Sequence, residues 1–240
     1  MSISQLCDCN RTLPELFDVN ECIGEGRFSK VYAGLDKGSG EAVALKELDR
    51  AEFEEDAAAL EMLEAEVFTL RRAAGAPHVV KLHRVVESPD AIWLAMERVP
   101  GRELFSVLEE RGALPDAFVR PLMEQLLTAL AALADLGVVH RDVKPENMMV
   151  SAEESGAPVL TLIDFGYAAL LGEGSEGAQE LTGVAGSPEY AAPEVLSWVA
   201  VDADETGTAV GEPYDASCDV WGATSHSALL RFANLVLVVR

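Results

Sequence analysis

Positive charge is what this chain has least of. In 240 residues, 18 lysines and arginines stand against 41 aspartates and glutamates, for a formal net charge of -23. A phosphate backbone would be repelled by such a surface, and no basic stripe offsets it, so no nucleic-acid partner is expected and basic peptides or proteins match better. Cysteine is scarce as well. Cys7, Cys9, Cys22 and Cys218 form no CxxC pair, and the CDC run at Cys7 to Cys9 reads as plain thiols in a reducing compartment ahead of a metal or redox site. The first 20 residues lack a basic stretch followed by an apolar one, so no secretory signal is expected and the protein reads as intracellular, that is cytoplasmic. The apolar run from Ala228 to Val239 is broken by Arg231 and is shorter than the ~20 residues a spanning helix needs, so no membrane span is expected. There is no internal repeat and no EF-hand loop to give a calcium response.

Apolar residues make up 49% of the chain, enough to bury a core in one large domain or two small lobes. Residues 1–18 read as a short polar extension. From Val19 the pattern becomes strand, glycine turn, strand, with Val31, Ala33 and Leu35 alternating and Lys37 to Gly40 forming a hairpin turn before the run ending VALK at Lys46. Residues 52–74 then switch to helical spacing. Ala59, Leu63, Glu66 and Leu70 fall on one face, which puts a carboxylate among apolar neighbours, with Glu61 the second candidate for an inward acid. The other acids here, Glu64 included, read as solvated. Two further strands, VVKLHRVVE and AIWLAMERV, precede a Pro100-Gly101 connector. The stretch from Asp116 to Leu136 predicts a long helix, capped by Asp116, kinked slightly at Pro121 and stopped by Gly137.

Three segments carry chemistry. Gly24-Glu25-Gly26 lies between two predicted strands, which disfavours a dinucleotide or Walker turn, yet glycines there would let backbone amides approach phosphate oxygens. The stretch from His140 to Asn147, HRDVKPEN, and the downstream Asp164-Phe165-Gly166 together offer two acids and an amide, the hard oxygen donors that Mg²⁺ takes along with phosphate. Glu66 adds an acid that needs a partner, because a lone buried charge costs several kcal/mol.

In this order and spacing the segments resemble the catalytic domain of eukaryotic serine/threonine protein kinases over residues 19–222, with GRELF and GSPEYAAPEVL most similar to the calcium/calmodulin-dependent and calcium-dependent group. The resemblance implies an α+β, two-lobed fold: a small antiparallel sheet with one helix over residues 19–96, a hinge at 97–101, and a mainly helical lower lobe over 102–222. It implies a protein kinase that uses ATP and Mg²⁺ and acts on protein substrates with Ser/Thr near basic residues. Lys46 matches the lysine that holds the α- and β-phosphates and pairs with Glu66. Asp142 matches the base, Lys144 the cation beside the migrating phosphoryl group, and Asn147 and Asp164 the metal ligands. Ile23, Gly24, Gly26, Val31, Ala44, Met96, Glu97, Val99, Glu103 and Met149 match positions that line the nucleotide site. Leu70, Leu82, His140 and Phe165 match the stack that ties the lobes together, so His140 is expected to pack and not to act as a base. Ser187 is expected to face Asp142 and Lys144, and Asp219 to hold the catalytic loop. Arg141 would receive a phosphate on the activation segment, with Thr182 as acceptor, or Glu173, Glu176 and Glu180 would order that segment instead. Glu103 and Glu146 would read arginines upstream of the target.

The chain departs from the pattern at Ser29, where the family has a third glycine. After Gly222 the sequence no longer follows the family, so the later lower-lobe helices are expected to be absent, residues 223–240 to be a divergent tail, and a partner to cover the gap. Asp202 to Gly211 reads as a solvated acidic insertion. A non-catalytic kinase-like module that binds nucleotide or a protein remains the alternative to an active kinase.

Overall fold

Alternating β-formers from Phe17 onward build one sheet in the first of two compact units, residues 1–74 with 80–99, while residues 75–79 belong with 100–240 in the second. The computed structural model describes residues 3–8, 11–26, 29–152, 156–172, 180–198 and 211–224. Cys9, Glu173, Glu176, the acidic stretch up to residue 210 and the tail from residue 225 lie outside them.

The first unit opens with α1 (Ile3–Leu6) and α2 (Leu13–Leu16), followed by β1 (Phe17–Glu25), β2 (Ser29–Asp36), β3 (Ala42–Asp49), α3 (Arg50–Glu55), α4 (Ala57–Arg72), β4 (Leu82–Glu87) and β5 (Ala91–Glu97). The strands form one antiparallel sheet in the order β1-β2-β3-β5-β4. Side chains alternate across it. Leu48, Ile92, Leu94 and Val85 join a core with Leu63 and Val67 of α4, whereas Val43, Leu45, Val86, Trp93 and Ala95 join a second core with Leu13, Leu16 and Phe17. This second core corrects the reading of residues 1–18 as a polar extension. Ile3, Leu6, Leu13 and Leu16 are buried, but helices of one turn carry no period long enough to be read from sequence.

Two boundaries also differ. The helical run from residue 52 is two helices, because Asp56 is extended (φ -120°) and caps α4, accepting from the amides of Ala58 at 2.8 Å and Ala59 at 3.3 Å. In the β2–β3 turn, Asp36 Oδ1 accepts the Gly38 and Ser39 amides at 2.7 and 3.1 Å. Burial in β2 does not follow the expected alternation: Val31 and Ala33 are half-buried, but so is Tyr32 between them, Gly34 is buried and Leu35 is exposed.

The second unit contains β6 (Arg102–Glu103), α5 (Leu104–Arg111), α6 (Asp116–Asp135), β7 (Val138–Val139), β8 (Met148–Ala152), β9 (Pro158–Leu162), β10 (Ala169–Leu170) and α7 (Pro193–Leu196). Residues 217–224 are helical. Asp116 is not the cap of α6. Pro115 holds that position and Asp116 is the first helical residue, where its charge still favours the helix N-terminus. Gly137, at φ +69°, follows the C-cap. By length and composition α6 could cross a membrane, but Val119, Leu122, Leu126 and Leu133 are buried. Its Gln125 is clamped to β9 as well, donating to Pro158 O at 2.9 Å and accepting from the Leu160 amide at 2.7 Å. These are the marks of a core helix. The β8–β9 hairpin and β6 form a three-stranded sheet. Gly101 makes β6 possible: at φ +101°, a Cβ there would lie 2.1 Å from Val150 O.

If the residues before β1 are core, Leu16→Ala should destabilise the protein by about 2–5 kcal/mol in urea unfolding. A change under ~0.5 kcal/mol is what a surface position would give.

Candidate active site

In the first unit, β-sheet register gathers several predicted residues on one face. Val31 is opposite Lys46, Ala44 is opposite Met96, and Lys46 is opposite Leu94; opposed residues in an antiparallel pair share a face. From this face Lys46 Nζ reaches Glu66 Oε1 of α4 at 2.6 Å. The two side chains are 13% and 6% exposed, so the pair is desolvated on both sides. Glu66, not Glu61, is the inward acid, since Glu61 is exposed. Glu64, read as solvated, is half-buried. Gly24 is opposite Val31, and the Gly26 amide donates to Ser29 O at 2.8 Å, closing the β1–β2 turn. Ile23 falls in a register shift of β1 and is exposed. Glu97 pairs in register with Val43, and Val99 is half-buried at the end of this unit. Leu70 is buried on α4, and Leu82 begins β4.

In the second unit Asp142 is the centre. Its carboxylate is buried and takes three donors: Ser187 N to Oδ1 at 2.8 Å, Asn147 Nδ2 to Oδ2 at 2.9 Å, and Lys144 Nζ beside Oδ2 at 2.8 Å. Lys144 Nζ also donates to Ser187 Oγ at 2.7 Å. A lysine thus bridges a carboxylate and a hydroxyl. Gly186 allows this approach, because at φ +79° a Cβ would sit 2.1 Å from Arg141 O. His140 has no free ring nitrogen. Nδ1 lies 3.3 Å from the Asp142 amide, which donates to it, so the proton belongs on Nε2, 3.1 Å from Ile163 O. Its ring meets Phe165 edge-on at 4.8 Å. Packing is the role this geometry leaves it.

The β8–β9 hairpin sets the two metal candidates at one end of its ladder. Asn147 immediately precedes β8, Asp164 follows β9, and Ile163 N donates to Asn147 O at 2.8 Å. Asn147 commits its amide nitrogen to Asp142, which leaves Oδ1 as the atom a hard cation can take. Asp164 is exposed and holds φ +59°. One carboxylate and one amide oxygen are hard donors of the kind that would suit Mg²⁺. No cluster of three or more acidic, His or Cys side chains occurs among the described residues. Glu103 and Met149 are opposite one another in the β6–β8 ladder.

Asp219 holds the loop from behind. Its carboxylate oxygens accept the amides of His140 at 2.7 Å and Arg141 at 2.8 Å. Burial pushes its carboxyl up, opposed by His140 and by those two amide bonds. Beside it the Cys218 thiol is pushed strongly up by burial and then by the Asp219 charge, so it stays protonated and is no nucleophile. Tyr214 was not legible in the sequence. It pairs with Leu181 through both backbone bonds, its hydroxyl donates to Gly183 O at 3.0 Å, and Arg141 Nη1 donates to that hydroxyl at 3.3 Å. Arg141 Nε is spent on Tyr167 O at 2.6 Å. Thr182 is exposed between these contacts. No local motif marks a tyrosine more than 30 residues from its partners, so only the tertiary fold reveals it.

The protein kinase domain family model matches residues 17–233. The chain belongs to the protein kinase domain family. Calcium/calmodulin-dependent protein kinase type 1B of Rattus norvegicus is 32% identical over 209 residues, covering 87% of this chain and 54% of that protein. CBL-interacting serine/threonine-protein kinase 16 of Arabidopsis thaliana is 34% identical over 198 residues, covering 79% and 41%, and myosin light chain kinase A of Dictyostelium discoideum is 30% identical over 207, covering 86% and 63%. This kinase domain spans about half the length of the curated relatives it matches.

With Cys218 buried and protonated and Cys22 exposed, a thiol reagent at pH 8 should label Cys22 in the native kinase domain and Cys218 only after denaturation. Peptide mapping that finds Cys218 labelled as fast as Cys22 would contradict this environment.

Proposed function

We propose that the chain is an ATP-dependent protein serine/threonine kinase that transfers the γ-phosphate of Mg·ATP to hydroxyls of Ser/Thr in basic protein segments. The observation that carries the reading is the Asp142 carboxylate, buried and fixed by Ser187, Asn147 and Lys144. An incoming hydroxyl would donate to Asp142, which takes its proton as the oxygen bonds to the γ-phosphorus and the bond to the departing ADP breaks. Lys144 already bridges Asp142 to a hydroxyl oxygen at Ser187, a mimic of that contact, and its charge would offset the equatorial oxygens. Lys46, fixed by Glu66, would hold the nucleotide phosphates, with Gly24 and Gly26 allowing amide approach and Val31, Ala44 and Met96 offering apolar surface to the base. Asn147 Oδ1 and Asp164 would hold Mg²⁺, which neutralises phosphate charge when bound.

A preference for arginine upstream of the target is supported by Glu146. Its Oε2 is buried with no hydrogen-bond partner among the described residues, a costly state that a substrate guanidinium would relieve. Glu103 stands exposed at the start of α5. The acidic composition is consistent with a basic substrate and an intracellular setting. A second reading, a catalytically impaired kinase-like module that binds nucleotide or a protein partner, is favoured by Val220 and Trp221, 46% and 47% exposed, an apolar pair that a protein partner would cover.

The test is γ-phosphate transfer to an Arg-x-x-Ser peptide by the 240-residue chain beside Asp142→Asn. Loss of general-base help predicts a fall of ~10²–10⁴ in rate with nucleotide binding retained. No transfer by the folded wild-type chain would favour the module, and equal transfer by both would remove Asp142 from the chemistry. In the same assay Glu146→Gln should weaken selection of the arginine peptide over its alanine counterpart.

A further inference from the structure

We propose that residues Ile3–Asp8 are a positioning element for the Lys46–Glu66 pair, a built-in clamp that fixes α4 against the sheet. The inference rests on the kinase reading for its effect on catalysis and on geometry for the clamp itself. These residues lie before the region that the family model matches, so the clamp belongs to this chain and not to the family's common core.

The contacts run in two directions. Toward α4, Leu6 is fully buried and Ile3 nearly so, packed in one core with Phe53, Leu63 and Val67. Arg71, in the last turn of α4, closes over the segment, its Nη2 donating to Leu6 O at 2.6 Å and to Asp8 Oδ1 at 2.7 Å. Toward the sheet, Asp8 exchanges two bonds with Val85 of β4. Its amide donates to Val85 O at 3.1 Å, and its Oδ2 accepts the Val85 amide at 2.6 Å. Ser4 Oγ adds a bond to Glu87 at 3.0 Å. Because β4 is the edge strand, the segment takes up backbone groups that an edge leaves open and straps the helix to the strand.

Glu66 sits between Leu63 and Val67, the two α4 residues in that core, and five positions before Arg71. A helix of 16 residues has little stability of its own in water, so its packing partners set its position. The 2.6 Å ion pair holds only while α4 stays within reach of Lys46 on β3.

The test compares the full chain, a chain lacking residues 2–8, and the full-length Arg71→Ala variant, which keeps the experiment decisive if the truncated chain fails to fold. Two quantities are read: amide exchange of residues 57–72, and KM for ATP alongside KM for peptide substrate. In both variants exchange in α4 should rise and KM for ATP should rise with KM for peptide unchanged, with kcat/KM for ATP falling by up to about a hundredfold, as misplacement on the scale of 1 Å produces. A synthetic peptide of residues 1–10 should restore both in the truncated chain. Unchanged exchange in α4, or a loss confined to kcat with both KM values unchanged, would overturn the clamp. Expected exchange and rescue in a chain that transfers no phosphate would support the clamp and sink the kinase reading instead.

Discussion

The catalytic loop hangs on one buried carboxylate. Arg141 is held at φ +63°, a conformation that costs a side-chain-bearing residue roughly 1–3 kcal/mol and persists only where the surroundings over-determine it. Asp219 supplies that determination, with one oxygen on the His140 amide and the other on the Arg141 amide. The turn it enforces aims Asp142 inward, lets His140 Nδ1 accept the Asp142 amide, and brings Lys144 and Asn147 back onto the Asp142 carboxylate. Removing Asp219 would take away both amide contacts that hold this turn from behind.

A second strained residue follows the same logic. Asp164 holds φ +59° directly after the β8–β9 hairpin, with the Gly166 amide 3.3 Å from its Oδ1. Strain at Arg141, next to Asp142, and at Asp164 itself fits a preorganised polar centre. In the first unit the corresponding rigidity comes from sheet register, which sets Val31, Ala44, Lys46 and Met96 on one face, and from the helix that brings Glu66 to it.

The parts legible in sequence were those with local signatures. HRDVKPEN and Asp164-Phe165-Gly166 carry their chemistry in consecutive residues, and Glu66 declared itself as an acid on an apolar face. The fold class came from the family resemblance those segments carry, and the switch from strand alternation to helical period agreed with it. What escaped lacked either length or locality. α1 and α2 are one turn each, too short for periodicity, and their value lies in tertiary burial. The break at Asp56 hid inside a run of helix formers, and Pro115 took the cap that Asp116 was expected to provide. Tyr214 and Arg71 act through partners far away in sequence, so no motif could have announced them.

The proposed kinase function requires Asn147 and Asp164 to hold a divalent metal together with nucleotide phosphate. Titration of Mn²⁺, read by loss of the free-ion paramagnetic signal, tests it with and without a non-hydrolysable ATP analogue, in the wild-type chain and in Asp164→Asn. Weak Mn²⁺ binding alone, marked tightening with the analogue, and loss of that tightening in Asp164→Asn are expected. Equal Mn²⁺ affinity with and without nucleotide, or coupling that survives Asp164→Asn, would contradict it.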